Sequence, residues 1–274
     1  MKRGGIRVPQ TVEAEYLLAP DPVNKRAIDA YLNEFGRPDS VEFVLLIPAF
    51  NEHKNLPIVA QLIQNAADTI RVGRVVVLDD GSEDDTKDVA RQLGFGVCIA
   101  TVNRGQGAVL KMGYQLAIEL RAEYVIVVDA DGQWDPSDLG AILAPLKEGS
   151  ADFVQGSRSL GETRVGDPVR DFGVTVFARL ITVLTGTKVT DTSSGYRAFR
   201  TRLLSGIRLS EPQYQSSELL IGAIMSGARI REIATVMHRR PTGTSKKGNN
   251  LKYGLNYTRV VLGTWLRERF LVKR

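Results

Sequence analysis

The chain has 274 residues, 43% of them hydrophobic, with 36 Lys or Arg against 31 Asp or Glu and a formal net charge of +5. That supplies the core of one large α/β domain, and no run reaches the roughly 20 apolar residues of a membrane-spanning helix, so an integral helical membrane protein is not expected. The charge is uneven: residues 239–274 hold ten Lys or Arg against Glu268 alone, and the remainder carries 26 bases and 30 acids, so the basic character belongs to the C-terminal end.

Residues 1–40 carry no readable motif beyond a helix over Asn24–Leu32, and the basic start Met1–Gln10 lacks the apolar region of a secretory leader. From residue 41 short apolar runs alternate with longer helical periods, the pattern of a mainly parallel sheet with helices on both faces. Val41–Ile47 reads as the first strand, stopped by Pro48. Leu56, Val59, Ala60, Ile63, Ala67 and Ile70 then recur at helical spacing. Val75–Leu78 is the second strand, ended by Asp79-Asp80-Gly81-Ser82, with Asp84 or Asp85 as the cap of the next helix. Val97–Val102 is the third; its Cys98, the lone cysteine, predicts a buried, inert thiol in a reducing, cytoplasmic setting. A helix starts near Gln106.

Tyr124–Val128 is the fourth strand and delivers Asp129 and Asp131 at its carboxyl end, where such sheets bind ligands. Phe153–Gln155 is a short fifth strand before a Gly156-Ser157-Arg158 loop. A helix over Pro168–Leu184, an irregular Asp191–Tyr196 segment, a helix around Ser217–Met225 and a strand near Ile230–Met237 follow. The loop Pro241–Asn250 leads to an amphipathic helix, Leu251 to about Arg269. The predicted division is an N-terminal extension over 1–40, a catalytic domain over 41–238, and a basic loop and amphipathic helix over 239–274.

Alternation along an extended strand end turns Asp129 and Asp131 to one side, ready to share a hard cation such as Mg²⁺ or Mn²⁺, and Gln133 adds a further oxygen. Asp79 and Asp80 form a second acidic strand end, able to accept hydrogen bonds from a base or ribose or simply to shape a turn. Beside them, Phe50 offers an apolar wall and Glu52 an acceptor. Asn103-Arg104-Gly105-Gln106-Gly107 precedes a helix and could present N–H groups to an anion, although it lacks a dinucleotide fingerprint. His53 and His238 have no partner that suggests a triad and are expected at the surface.

Pro48-Ala49-Phe50-Asn51-Glu52, Asp79-Asp80-Gly81-Ser82, Asp129-Ala130-Asp131-Gly132-Gln133, Gly156-Ser157-Arg158, Asp191-Thr192-Ser193-Ser194-Gly195-Tyr196-Arg197 and Arg240-Pro241-Thr242-Gly243-Thr244-Ser245-Lys246 follow one another in an order that resembles glycosyltransferase family 2 over residues 41–270. Within that family the chain is similar to the polyprenyl-phosphate sugar synthases, such as dolichyl-phosphate mannosyltransferase. The resemblance implies a GT-A fold, a Rossmann-like α/β sheet flanked by helices. It implies Mg²⁺ or Mn²⁺ on Asp129, Asp131 and Gln133, and a GDP-mannose or UDP-hexose donor near Pro48, Phe50, Glu52, Asp79 and Asp80. Arg158 and Arg170 would meet acceptor phosphate, and Arg240 and Lys246 would cover the diphosphate, a use that suits guanidinium chemistry. Val174 departs from the pattern, standing where a hydroxyl is expected.

The catalytic candidates are Asp131, Arg158, Asp191, Glu218 and Arg240. A polyprenyl phosphate acceptor needs no protein base, whereas a soluble hydroxyl acceptor needs a carboxylate, for which Glu218 or Asp191 is available. A sugar-phosphate nucleotidyltransferase would want a Gly-rich loop after the first strand, and Pro48–Asn55 has none. An intact Asp129/Asp131 pair argues against a non-catalytic scaffold. In the last helix Leu251, Leu255, Thr258, Leu262, Trp265 and Leu266 share one face beside basic residues. That stripe suits peripheral contact with an anionic membrane at its inner face, or packing on the chain's own domain or on a second subunit of a homodimer. The acidic body and the absence of interleaved aromatics in the tail argue against nucleic acid.

Overall fold

Seven strands build one sheet: β1 (Val41–Ala49), β2 (Gly73–Asp79), β3 (Gly96–Ile99), β4 (Ala122–Val128), β5 (Phe153–Thr163), β6 (Tyr196–Arg200) and β7 (Ile230–Met237), in the spatial order β3-β2-β1-β4-β6-β5-β7. The structure is a computed structural model and describes residues 21–66, 73–136, 139–243 and 250–271. Eight α-helices accompany the described strands: α1 (Pro22–Phe35), α2 (Leu56–Gln64), α3 (Thr86–Gln92), α4 (Gln106–Glu119), α5 (Leu139–Lys147), α6 (Pro168–Thr185), α7 (Gln215–Met225) and α8 (Asn250–Leu266). The mainly parallel, helix-flanked architecture is the one the sequence pattern predicts.

β1 sits between β2 and β4, parallel to both, and is buried on both faces. Phe43, Leu45 and Ile47 enter one core with Leu56, Val59 and Ile63 of α2, while Val44 and Leu46 enter the other with Leu110 and Leu116 of α4 and Leu219 of α7. This double burial is why β1 reads as a continuous apolar run. Cys98 lies in the second of these cores, and burial pushes its thiol up to about 12, as an inert thiol requires.

The structure corrects the sequence reading at several points. Pro48 does not stop β1: it pairs with Leu78 of β2, and the β4 ladder has already ended at Leu46, so the missing N–H leaves no gap there. Gly156-Ser157-Arg158 is not a loop but the middle of β5, whose pairing with β7 shifts register between Ser157 and Glu162. Residues 191–195 are irregular as read, but Tyr196–Arg200, to which the sequence reading assigns no strand, forms β6, antiparallel to both β4 and β5. α8 buries Tyr257, Val260, Val261 and Thr264 and leaves Leu255, Leu262 and Leu266 exposed, so the stripe read from the sequence is not the packed face. The side chain of Leu251 lies outside the described residues, as do Ala67, Ile70 and Lys246.

At the end of the sheet away from the acidic motifs, the buried Asp152 joins three elements. Its carboxylate accepts from Arg229 Nε at 2.8 Å and Arg202 Nη2 at 3.0 Å, and Arg200 Nε stands 3.6 Å away. The Arg229 hydrogen bond, outweighing burial, holds this carboxyl down at about 2. A carboxyl depressed on folding stabilises fully above its unfolded value and loses that contribution as pH falls through the folded one. Asp152→Asn is therefore expected to cost about 2 kcal/mol at pH 7, with the gap to the parent closing between about pH 4 and pH 2, as read from urea unfolding.

Candidate active site

The carboxyl ends of β1, β2 and β4 stand side by side. Ala49 pairs with Asp79, and Asp80 N–H donates to Ala49 O at 2.9 Å, so the first two motifs meet by parallel pairing alone. Asn51, at φ 56°, adopts the left-handed conformation that asparagine tolerates. This lets its N–H reach Ser82 Oγ at 2.9 Å and its Oδ1 accept from Glu83 N–H at 2.9 Å. Phe50 and Glu52 flank it.

Asp79 and Asp80 are both buried, and burial raises both carboxyls against opposing hydrogen bonds. They differ in what they hold. Both oxygens of Asp80 are taken by backbone N–H groups, Arg104 at 3.0 Å and Gly105 at 2.7 Å. The anion that the Asn103–Gly107 turn receives is thus the protein's own carboxylate. Asp79 accepts from Ser82 N–H at 3.2 Å through Oδ1, and the Ser82 side chain bonds the same carboxylate.

Asp129 and Asp131 follow β4. Asp129 N–H donates to Gly195 O at 3.1 Å, and Asp129 Oδ1 accepts from Gln106 Nε2 at 3.1 Å. Asp131 Oδ1 accepts from Gln133 N–H at 3.1 Å, and Arg240 Nη1 stands 4.0 Å from Asp131 Oδ2. Gln133 gives its Nε2 to His238 O at 3.1 Å, so the acceptor oxygen Oε1 is the other end of the amide. Among the described residues no three His, Cys, Asp or Glu side chains gather as a metal site. Two carboxylates and one amide oxygen fit Mg²⁺ or Mn²⁺, which complete their shells with substrate phosphate and water.

Arg240 is latched: it pairs with Glu52 and donates from Nε to Thr242 O at 2.9 Å, while Asn55 Nδ2 donates to Glu52 Oε2 at 2.7 Å. A cavity of about 530 Å³ is lined by these groups together with His53 and Asp84. His53 does have a carboxylate partner, Asp84 at 2.5 Å, and Asp84 also accepts from Thr86 N–H at 3.0 Å ahead of α3. Both belong to the rim of the cavity, in keeping with a surface position for His53.

Arg158 is buried, 5% exposed, and forks onto Asp191, with Nε to Oδ2 at 2.7 Å and Nη2 to Oδ1 at 3.1 Å. Nη2 also reaches Ser193 Oγ at 2.9 Å, Nη1 meets the thioether of Met237 at 3.3 Å, and the guanidinium lies 5.3 Å from the centre of the Trp134 ring. Burial works against this cation, and Asp191 more than offsets that, raising its pKa. Arg170 sits in the first turn of α6, where its N–H donates to Asp167 Oδ1 at 3.0 Å; one turn later Val174 is buried. Glu218 does not join this cluster. It is fully buried, accepting from Ser210 N–H, Ser210 Oγ, Glu211 N–H and Arg267 Nη1 at 2.9–3.0 Å, and secures the 209–211 loop against the end of α8.

Sequence reasoning missed Gly195. A Cβ there would stand 2.0 Å from Asp129 Oδ2 and 2.6 Å from Trp134 Nε1, so glycine permits β6 to start against the Asp129 carboxylate. Its place in the Ser-Ser-Gly-Tyr run was a signal of close backbone approach.

A family model described as Glycosyl transferase family 2 matches residues 44–208. An uncharacterized protein of Methanocaldococcus jannaschii is 30% identical over 75% of this chain and 84% of its own length. Polyprenol monophosphomannose synthase of Mycolicibacterium smegmatis is 29% identical over 76% of this chain and 82% of its own. UDP-N-acetylglucosamine–dolichyl-phosphate N-acetylglucosaminyltransferase of Methanococcus voltae is 29% identical over 69% and 82%. Among solved structures, glucosyl-3-phosphoglycerate synthase from Mycobacterium tuberculosis, crystallised with Mn²⁺, uridine diphosphate and phosphoglyceric acid, shares the fold. It aligns with a TM-score of 0.60 and 21% identity over 91% of this chain and 83% of that one.

Gly195→Ala is expected to displace the Asp129 carboxylate while the sheet survives. A misplacement of about 1 Å in a reacting constellation costs on the order of 10² in rate, so turnover should fall that far, with circular dichroism unchanged and Mn²⁺ affinity weakened. Undiminished Mn²⁺ binding would remove Asp129 from the metal site.

Proposed function

The chain belongs to glycosyltransferase family 2, and from that membership we propose that it moves a hexose, with inversion, from a nucleotide diphosphate sugar to a polyprenyl phosphate at an anionic membrane surface. The lipid acceptor rests chiefly on the apolar face of two neighbouring helices. Of ten large hydrophobic side chains exposed among the described residues, Val169, Phe172, Val176 and Val183 lie on α6, Leu255, Leu262 and Leu266 on α8, and Phe270 just beyond it. The two helices touch through Phe177 and Tyr257, whose rings are 4.4 Å apart. Arg179, Lys188 and Arg269 are exposed on or beside them, and a base-flanked apolar face of this kind partitions into the headgroup region of acidic bilayers. The names of two relatives, a polyprenol and a dolichyl-phosphate transferase, point to the same acceptor class.

Asp129, Asp131 and Gln133 would hold Mg²⁺ or Mn²⁺. Such an ion, when bound, neutralises charge developing on the departing nucleotide diphosphate. Asp79 and Glu52 face the nucleoside side, while Arg240 and Lys246 supply cations to the diphosphate. A phosphate monoester has a second pKa of about 6, so the acceptor oxygen is already anionic at pH 7 and needs no protein base. That suits a site in which Asp191 and Glu218 spend their carboxylates on arginines and N–H groups. Arg158, oriented by Asp191, is the acceptor-side cation; its Nη1 edge, on a weak thioether acceptor, is the one a phosphate oxygen would take. Arg170 stands on the helix that carries the apolar face.

The deciding experiment pairs GDP-mannose and UDP-hexoses, with Mg²⁺ or Mn²⁺, against polyprenyl phosphate in acidic liposomes, 3-phosphoglycerate, and no acceptor. Transfer to polyprenyl phosphate is expected, rising with pH through a midpoint at about pH 6 as the acceptor ionises. Faster transfer to a soluble hydroxyl, with a large loss on Asp191→Asn, would replace the lipid reading.

The membrane face has its own test. Introducing two charges with Phe172→Glu and Leu262→Glu removes apolar burial of about 1.5–3 kcal/mol per side chain, so liposome binding should fall at least about 10-fold. Turnover on a short, water-soluble prenyl phosphate should stay near that of the parent. Equal loss on both acceptors would mean that these side chains pack against protein instead.

A further inference from the structure

No motif singles out Glu232, in the third position of β7, yet it organises the acceptor side of the site. Its carboxylate gathers four donors. Oε1 accepts from Asp191 N–H at 3.0 Å and Gln155 Nε2 at 2.9 Å, and Oε2 accepts from Thr190 N–H and Thr190 Oγ1, both at 2.8 Å. Gln155 Nε2 also donates to Asp191 O at 2.6 Å. The Asp191 backbone is thus gripped at its N–H by Glu232 and at its carbonyl by Gln155. Ser157 Oγ, one residue before Arg158, meets Thr190 Oγ1 at 2.6 Å. The 190–191 segment belongs to no strand or helix, so its polar groups must be satisfied by side chains, and one carboxylate satisfies three of them.

We propose that Glu232 is a positioning residue for the transfer reaction: it fixes the Thr190–Asp191 backbone, so that the Asp191 fork holds the Arg158 guanidinium in the orientation that receives the acceptor. The inference rests on the acceptor-side role given to Arg158 above. Charge, not shape, is what the position demands. All four groups facing Glu232 are donors, and a carboxylate, which only accepts, matches every one. An amide of the same size would turn N–H hydrogens toward two of those donors, releasing the N–H of either Asp191 or Thr190. Glu232 itself touches neither the acidic strand ends nor Arg158, so its influence passes through Asp191.

The test compares Glu232→Gln, Arg158→Lys and the double variant. Glu232→Gln should lower kcat/KM for the acceptor by about 30- to 100-fold, the range that a 1 Å misplacement produces, while calorimetric binding of donor nucleotide with Mn²⁺ changes less than about 2-fold. In the Arg158→Lys background the further loss should be under about 3-fold, because residues acting in one chain of contacts are not additive. Glu232→Asp, which keeps the charge, should recover part of the activity. Should Glu232→Gln fail to fold, Thr190→Val deletes one of the four donors and should lower the same parameter more modestly. Wild-type kinetics for Glu232→Gln or Thr190→Val beside a damaged Arg158→Lys would overturn the positioning role alone. Fully multiplicative losses in the double variant would also overturn it. Wild-type kinetics for Arg158→Lys would remove both this role and the acceptor-side reading of Arg158.

Discussion

A strand that runs against its neighbours begins where they end, and in this sheet that reversal determines the site. β6 lies between β4 and β5 and is antiparallel to both, so the segment leading into it reaches the sheet at the carboxyl edge. Had the connection produced another parallel strand, residues 191–195 would enter at the opposite edge. Instead Gly195 O receives Asp129 N–H, and Asp191 meets Arg158 from β5. The acidic end of β4, the cation of β5 and the loop that orients that cation are brought together by this one pairing. The absence of a side chain at Gly195 is what makes the approach possible.

Around the acidic pair, the charges are largely committed to one another. Asp80 is spent on the Arg104 and Gly105 N–H groups, Arg158 on Asp191, and Arg240 on Glu52. Burying a charge without a partner is costly, and each of these pairings offsets that cost while fixing a loop. The consequence is a division of labour between neighbouring residues of the same type. Asp80 shapes the turn before α4, whereas Asp79 is held by Ser82 at the end of β2. Among the cations, Arg158 is held by Asp191 and Ser193 through its fork and meets the Met237 thioether through Nη1.

Much of this was legible in the sequence because it depends on local chemistry. Continuous apolar runs announced strands buried on both faces, and the acidic residues after them marked the carboxyl edge. What escaped depends on pairing between distant segments. Tyr196–Arg200 is five residues, two of them arginines, after a Ser- and Gly-rich run, so it reads as the tail of a loop until β4 and β5 flank it. Gly156 suggested a break in β5, although the strand runs on with a shifted register. Glu232 lay beyond sequence reasoning because its partners are 41, 42 and 77 positions away. Glu218 had the right residue type at a helix start, but only the fold reveals that loop N–H groups and Arg267 surround it.

The last helix shows why periodicity identifies a face without saying what covers it. α8 carries two apolar stripes. Tyr257, Val260 and Val261 pack inward, while Leu255, Leu262 and Leu266 point outward. A 3.6-residue period fits either set, and the larger leucines dominate any count made on the sequence. Tyr257 separates the two readings physically, since its hydroxyl donates to Thr192 through contacts of 2.8 and 2.9 Å. Thr192 adjoins Asp191, so the inward stripe anchors α8 to the same loop that orients Arg158. The outward leucines are therefore mounted on a helix whose other side is fixed to the loop that holds Arg158, and a surface engaged by them lies in a set relation to the Asp191–Arg158 pair.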